Sequence, residues 1–256
     1  MEDIPFDLNE QGFDRMVVEG AITDQVKRHE VRLTKTTSFF EDEKPPAISG
    51  ALVTISNGVD SWSLAEDTSD LGLYYTPDSA YGTPGLHHDL TIIYDGETFV
   101  ATDYMPTVAA IDSIHVAFVP DEEGDGGFWP VDISFTEPAG EGDLYRWRVL
   151  INGVSDNDSI KFVRVLDDFL LDGSTLTDFR VDGFPEEYIE VGDTITVEQL
   201  SLSQVHFDFI EAIQEQTQDQ GGLFSPPPAN IPTNISGSAL GFFSASAVSD
   251  KTVIVE

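Results

Sequence analysis

Four carboxylates stand close together at Asp121, Glu122, Glu123 and Asp125, in the stretch PDEEGDGG. Hard oxygen ligands crowded onto a glycine-rich loop are the raw material of a calcium site. Their spacing matches no helix-loop-helix calcium pattern, and a solvated hairpin loop in an acid-rich chain produces the same string. Asp156, Asn157 and Asp158 form a weaker second calcium candidate. His87, His88 and Asp89 combine imidazole with carboxylate, but neighbours on a strand point to opposite faces. The two imidazoles are therefore not expected on one ion, and a structural role where a strand begins is expected instead. Asp167, Asp168 and Asp172, in LDDFLLDGSTLTDF, have the residue type of a general acid and base. Chance acidic pairs are common in a chain with 47 Asp and Glu, and no histidine, serine triad or phosphate loop joins them, so a structural turn is expected. In LYRWRVLI, Arg146 and Arg148 share one face of a strand, and with only 12 Lys and Arg in the chain they are expected to pair with nearby carboxylates rather than hold an anion.

The composition narrows the function classes. A chain of 256 residues that is 40% apolar, with 17 Phe, can build the cores of one large or two ordinary domains. Its formal net charge of -35 argues against nucleic acid and against docking on anionic lipid headgroups, because both need clustered Lys and Arg. The acidity is read as a diffuse, solvated, self-repelling surface suited to high salt. No cysteine is present, which excludes disulfides, thiol catalysis and thiolate metal sites. There is no apolar run long enough to span a bilayer, and MEDIPFDLNEQ is not a secretory signal. No catalytic residues and no organic cofactor are expected; calcium is the only cofactor the residues suggest.

The elements that must position these residues are mostly strands. Arg15 to Thr23, Glu30 to Thr36, Ala51 to Ser56, Ser61 to Leu64, Leu71 to Thr76, Asp89 to Tyr94 and Thr98 to Tyr104 alternate apolar with polar residues, the period of half-buried strands. Asn57-Gly58 and Asp95-Gly96 sit between adjacent runs as tight hairpin turns. Seven short strands at this spacing predict an immunoglobulin-like β-sandwich over residues 1–107, with Trp62 as a core or edge aromatic. Pro106 breaks the pattern, and residues 108–256 are expected to form a second β-sandwich domain from strands at Ile111 to Val119, Phe128 to Phe135, Leu144 to Ile151 and Asp193 to Leu200. The fold class is thus mainly β, with one α-helix. That helix is capped by Ser201 or Ser203, with Gln204 completing a capping box if Ser201 is the cap, and it carries Leu202, Val205, Phe209, Ile210 and Ile213 as its apolar stripe on the second sheet. Gly221-Gly222 ends it. Pro226, Pro227 and Pro228 then open a strap in which Phe224, Ile231, Ile235 and Phe242 are expected to bury against the second domain, before final strands at Leu240 to Val248 and Lys251 to Val255.

The strap, FSPPPANIPTNISGSALGFFSASAV, resembles the C-terminal signature of a family of Bacteroidota cell-envelope lipoproteins, domain of unknown function four-two-four-nine. Its members end in a similar FSPPAN-x-P-x-NISGGALGYFSAYSV pattern. Ser238 stands where the family more often has glycine, and Phe242 where tyrosine is common. VVEGAITD, PAISGALVTI, YDGETFVATDYMP and FTEPAGEGDLYRWRV are similar to further family segments, with His88 replacing an aromatic and Trp147 a phenylalanine. The resemblance implies a non-enzymatic outer-membrane lipoprotein at the cell surface, an accessory or binding component of a TonB-dependent outer-membrane receptor. It also implies that Met1 stands where a lipidated cysteine would precede the acidic segment EDIPFDLNE, so that the only membrane contact is an N-terminal lipid. Two other functions fit the residues: a calcium-stabilised structural or adhesive module, and a hydrolase with its carboxylates in the second domain.

Overall fold

A computed structural model describes residues 15–37, 44–121, 126–155, 160, 163–169, 171–218 and 231–256. Among the described residues the chain is mainly β with one α-helix, as the alternation predicts, and is built as two sandwiches. The first half supplies β1 (Met16–Thr23), β2 (Glu30–Lys35), β3 (Leu52–Ser56), β4 (Ser61–Ser63), β5 (Ala65–Glu66), β6 (Leu73–Tyr75), β7 (His87–Tyr94) and β8 (Glu97–Tyr104). The second half supplies β9 (Ile111–Val116), β10 (Val119–Pro120), β11 (Gly127–Thr136), β12 (Leu144–Ile151), β13 (Val154–Ser155), β14 (Arg164–Asp167), β15 (Thr175–Pro185) and β16 (Thr194–Ser201). After them come α1 (Gln204–Gln218), β17 (Leu240–Ser246) and β18 (Val248–Ile254).

The first sandwich faces the sheet β17-β1-β2-β6-β5 against β4-β3-β7-β8. Inward residues of the alternating runs, including Val18, Ile22, Leu33, Ile55, Leu90 and Ile92, make its core, and Trp62 packs at its margin edge-on to Tyr81. Asp95 and Gly96 turn the β7-β8 hairpin with φ of 50° and 80°, the left-handed pair that a two-residue turn requires. Tyr74 is buried and ties the sheets together, its hydroxyl donating to Ile48 O at 2.9 Å and accepting from Ala51 N at 3.0 Å.

The second sandwich sets β10-β11-β15, with β9 also on β11, against β13-β12-β16-β18, with β14 also on β12. Its core holds Trp129, Val131, Ile133, Phe135, Tyr145, Trp147 and Val197. The long strand β15 has no counterpart among the predicted strands. Its pairing with β11 shifts register twice, and Asp178 adopts φ 51°, so the residues TLTDFRVDGFP never show clean alternation.

The C-terminal segment departs most from expectation. β17 does not lie on the second domain: it pairs in parallel with β1, Val17 opposite Leu240 through Thr23 opposite Ser246, and Phe243 and Ala245 enter the first core. Ile235 bridges Ala101 on β8 and is buried in that same core. At Ala247 the chain changes sandwiches, held there by Ser201 N donating to Ala247 O at 3.0 Å and Ala247 N donating to Ser201 Oγ at 3.0 Å. β18 then pairs with β16. The expected burial of the strap against the second domain is therefore corrected for Ile235, which enters the first core, and for Ile231, which is exposed, while Phe242 is buried against His206 and Phe209 of the helix as expected. The physical reason is that β1 offers a free edge in register with β17, whereas β16 takes β18. Pro226 to Pro228 and Phe224 lie outside the described residues.

The helix also differs in detail. Ser203 is its cap, accepting from His206 N at 3.1 Å, while Ser201 is engaged at the crossover and Gln204 Nε2 donates to Asp208 instead of closing a capping box. His206, Phe207 and Ile210 are the buried face, and Val205 is exposed. Phe209 stacks on Phe242 of β17 with centroids 4.7 Å apart, and Ile210 packs with Leu144 of β12, so the helix spans the junction of the two sandwiches. Among the described residues no helix is long and apolar enough to cross a membrane.

Candidate functional site

One end of the second sandwich gathers three acidic side chains, two from a single connection and one from the end of a strand 25 residues further along the chain. β11 ends at Thr136 and β12 begins at Leu144, so Glu137 and Asp143 bracket the connection between them. β14 runs antiparallel to β12 with Asp167 opposite Leu144, which sets Asp168 beside Asp143, and Asp168 N donates to Asp143 O at 3.1 Å. Glu137 N donates to Ser174 O at 2.9 Å, which closes the group from the β15 side. One ligand oxygen from each of Glu137, Asp143 and Asp168 lies within 4.8 Å of the others.

The three carboxylates are not equivalent. Asp168, 3% exposed, accepts on one oxygen from Gly142 N at 2.8 Å and from Asp143 N at 3.1 Å. Glu137 is 1% exposed, and neither of its oxygens makes a well-formed hydrogen bond among the described residues, although the Tyr145 hydroxyl and the Asp143 carboxyl lie close by. Burial is the largest influence on Glu137 and pushes its carboxyl up to about 7; the nearby Tyr145 hydroxyl pulls back, and the charges of Asp143 and Asp168 push further. Burial likewise raises Asp143, and burial followed by Glu137 raises Tyr145. Such a group stores unpaired negative charge in a dry place, which either a proton or a cation relieves.

The sequence candidates fall elsewhere or divide. Asp172 and Asp168 organise a turn, as expected: Asp168 O accepts from Leu171 N and Asp172 N, and Asp172 Oδ1 accepts from Gly140 N at 2.6 Å. Asp167 is exposed at the end of β14. Of the four carboxylates in the acidic loop, only Asp121 is among the described residues, its N donating to Gly126 O at 2.9 Å; Glu122, Glu123 and Asp125 lie outside them. Asp156, Asn157 and Asp158 lie outside them too. His87 and His88 point to opposite faces: His87 leans on Tyr104, and buried His88 accepts from Thr83 N at 3.0 Å on Nε2, with burial lowering its pKa. Glu137 and Asp143 were not singled out from the sequence, although their signal was there: each abuts a strand end at one side of the same glycine-bearing turn, EPAGEGD.

Arg148 pairs with Glu198, its direct cross-strand neighbour, and Arg180 pairs with Asp132 in the same way across the other sheet. Arg146, Arg148 and Arg164 also line a cleft of about 390 Å3 between β12, β14 and β15, together with Phe184 and Tyr188. Arg164 Nη1 donates to Arg180 O at 2.8 Å, which ties that guanidinium to β15.

A third group sits where the sandwiches meet. Asp103 of β8, 3% exposed, accepts from Ser203 Oγ on one oxygen and from Ala245 N at 2.8 Å on the other. Burial pushes its carboxyl up to about 6 against the pull of these bonds. Beside it, His206 stacks on Phe242 at 4.9 Å, and burial drives its imidazole down to about 3, so it is neutral. Asp103 thus fastens β8, β17 and the helix cap at a single point, a structural node rather than a reactive one.

A family model described as Domain of unknown function (DUF4249) matches residues 1–252. No curated protein matches the chain.

Proposed function

We propose, from the premise that this chain belongs to the family described as Domain of unknown function (DUF4249), that it is a non-enzymatic binding component at the cell surface. In this reading it is held to the outer membrane by an N-terminal lipid and works with a TonB-dependent receptor. The arginine-lined cleft carries the binding part of the reading. Arg146, Arg148 and Arg164, of a chain with only 12 Lys and Arg, line one concavity together with Tyr188 and Asp182, with Arg148 already paired to Glu198. In a molecule of net charge -35, an anionic group is repelled almost everywhere, so this arginine-bearing cleft is the place that favours its docking. A carboxylate-bearing loop of a partner suits planar guanidinium donors. The segments similar to Bacteroidota lipoproteins support the placement and the receptor.

The test is a lipidated protein, with a signal peptide and cysteine placed ahead of Glu2, expressed in a Bacteroidota host and purified from native membranes. It should fractionate with the outer membrane and bring down a TonB-dependent receptor, and Arg164→Glu should weaken that capture several-fold without moving the protein from the membrane. Recovery of the lipidated protein without any receptor, or equal capture by the variant, would sink the reading.

A further inference from the structure

We propose that Glu137, Asp143 and Asp168 bind one calcium ion, at the end of the second sandwich where the β11-β12 and β14-β15 connections meet. This site is separate from the arginine cleft and does not depend on the function proposed above.

Geometry makes the first part of the case. Calcium holds oxygen ligands at about 2.4 Å, so two oxygens on the same ion stand at most about 4.8 Å apart. The three ligand oxygens meet that limit in every pair. Magnesium demands a near-octahedral set and gives up its waters reluctantly, so three protein carboxylates in a largely buried place suit calcium better. Strand register fixes the separation, because Asp143 and Asp168 flank the paired residues Leu144 and Asp167, and Glu137 is tied to Ser174 through its backbone. A site set by sheet pairing loses little freedom when an ion arrives.

The second part comes from Glu137 alone. A carboxylate turned into such a group, 1% exposed and with neither oxygen in a well-formed hydrogen bond among the described residues, is a feature that proteins rarely leave unexplained. Its neighbours do not explain it. Asp168 already holds two backbone amides and has no donor to offer, Asp143 is another acid that can only share a proton with Glu137, and the Tyr145 hydroxyl lies close enough to pull the Glu137 pKa down but not to outweigh burial. A calcium ion supplies the missing counter-charge and bonds to Glu137 while leaving the amide bonds of Asp168 in place. The remaining coordination positions would be filled by water at the half-buried Asp143 side.

The site also has a mechanical consequence. It clamps the first residue beyond β11, the last before β12 and the first beyond β14, so an ion there links the two sheets of the second sandwich at the end where they are joined by loops. Binding is expected to appear as stability of this sandwich.

The experiment uses the full chain, stripped with chelator and kept at constant ionic strength. Calcium titration by calorimetry should show a site with a dissociation constant on the order of 10⁻⁴ M or tighter, and 10 mM calcium should raise the melting temperature by about 5 °C or more. Magnesium at the same concentration should do much less. Terbium should bind and luminesce through Tyr145 and Trp147. Glu137→Gln, which removes charge without volume, and Asp143→Asn should each cut calcium affinity at least tenfold and quench the terbium signal while the far-ultraviolet spectrum stays native. Asp121→Asn should leave both unchanged. Absence of calcium binding in the unaltered chain overturns the proposal and leaves Glu137 holding a proton. Binding that survives both Glu137→Gln and Asp143→Asn, or that Asp121→Asn abolishes, overturns it by placing the ion elsewhere, and an equal response to magnesium overturns the choice of ion.

Discussion

Asp103 shows how one side chain can set a pH dependence. Its carboxyl is raised from 3.8 to about 6 in the folded protein, chiefly by burial, so between those values the folded state holds a proton that the unfolded state has released. Its contribution to stability is fully present below pH 3.8 and is lost as pH rises through about 6. The shift corresponds to roughly 3 kcal/mol. Chemical denaturation from pH 4 to pH 7 should therefore show a downward slope that Asp103→Asn flattens, and a slope identical in both proteins would assign the effect to other acids. The variant should also lose one of the two bonds now received from Ser203 Oγ and Ala245 N, because an amide has one accepting oxygen where the carboxylate has two. Gly241 carries a different single-residue constraint. It adopts φ 93° with Val18 O only 2.0 Å from where a Cβ would sit, so Gly241→Ala should push β17 off β1 and cost on the order of 4 kcal/mol in thermal or chemical unfolding.

At the scale of elements, the segment from Thr233 to Phe243 is knitted to β8 and β17 by side-chain mimicry of a strand. Asn234 Nδ2 donates to Phe243 O at 2.7 Å and its Oδ1 accepts from Phe243 N at 3.0 Å, while Ser236 exchanges bonds with Val100. Asn234→Ala should thus cost about 2 kcal/mol, read as a lowered denaturation midpoint. The helix cap couples to the same region, since the Ser203 hydroxyl both caps α1 and donates to Asp103. Ser203→Ala should cost about 1 to 2 kcal/mol, and a double-mutant cycle with Asp103→Asn should show clear non-additivity, whereas additive losses would mean the two groups act independently.

For the whole molecule, the crossing of β17 binds the two sandwiches into one cooperative unit. A fragment that ends at residue 107 lacks Phe243, Ala245 and the strand beside β1, so it should show no cooperative unfolding transition by circular dichroism. Truncation before Ile231 removes β18 as well as β17, and both sandwiches should fail together. The net charge of -35 acts on the same unit. Raising salt to about 1 M, where the Debye length is about 3 Å, should lift the melting temperature by screening repulsion across the surface. A transition indifferent to salt would mean that the acids are balanced locally.

The sequence by itself determined what depends on near neighbours and on composition. Alternation in MVVEGAIT and LTIIY assigns buried and solvent faces, Asp95-Gly96 dictates a hairpin, and scarce cations beside many acids dictate pairs such as Arg148 with Glu198. Only the tertiary structure decided which sheet each buried face meets. A period of two says that Phe243 points inward but not into which core, because both sandwiches present apolar faces and the choice is made by strand edges and register over more than two hundred residues. The carboxylate group was hidden for the same reason. Glu137, Asp143 and Asp168 are ordinary acids along the chain, and they become a site only when β12 pairs with β14 and β11 with β15, which carries three strand ends to one place and shuts out the water that would otherwise keep them apart.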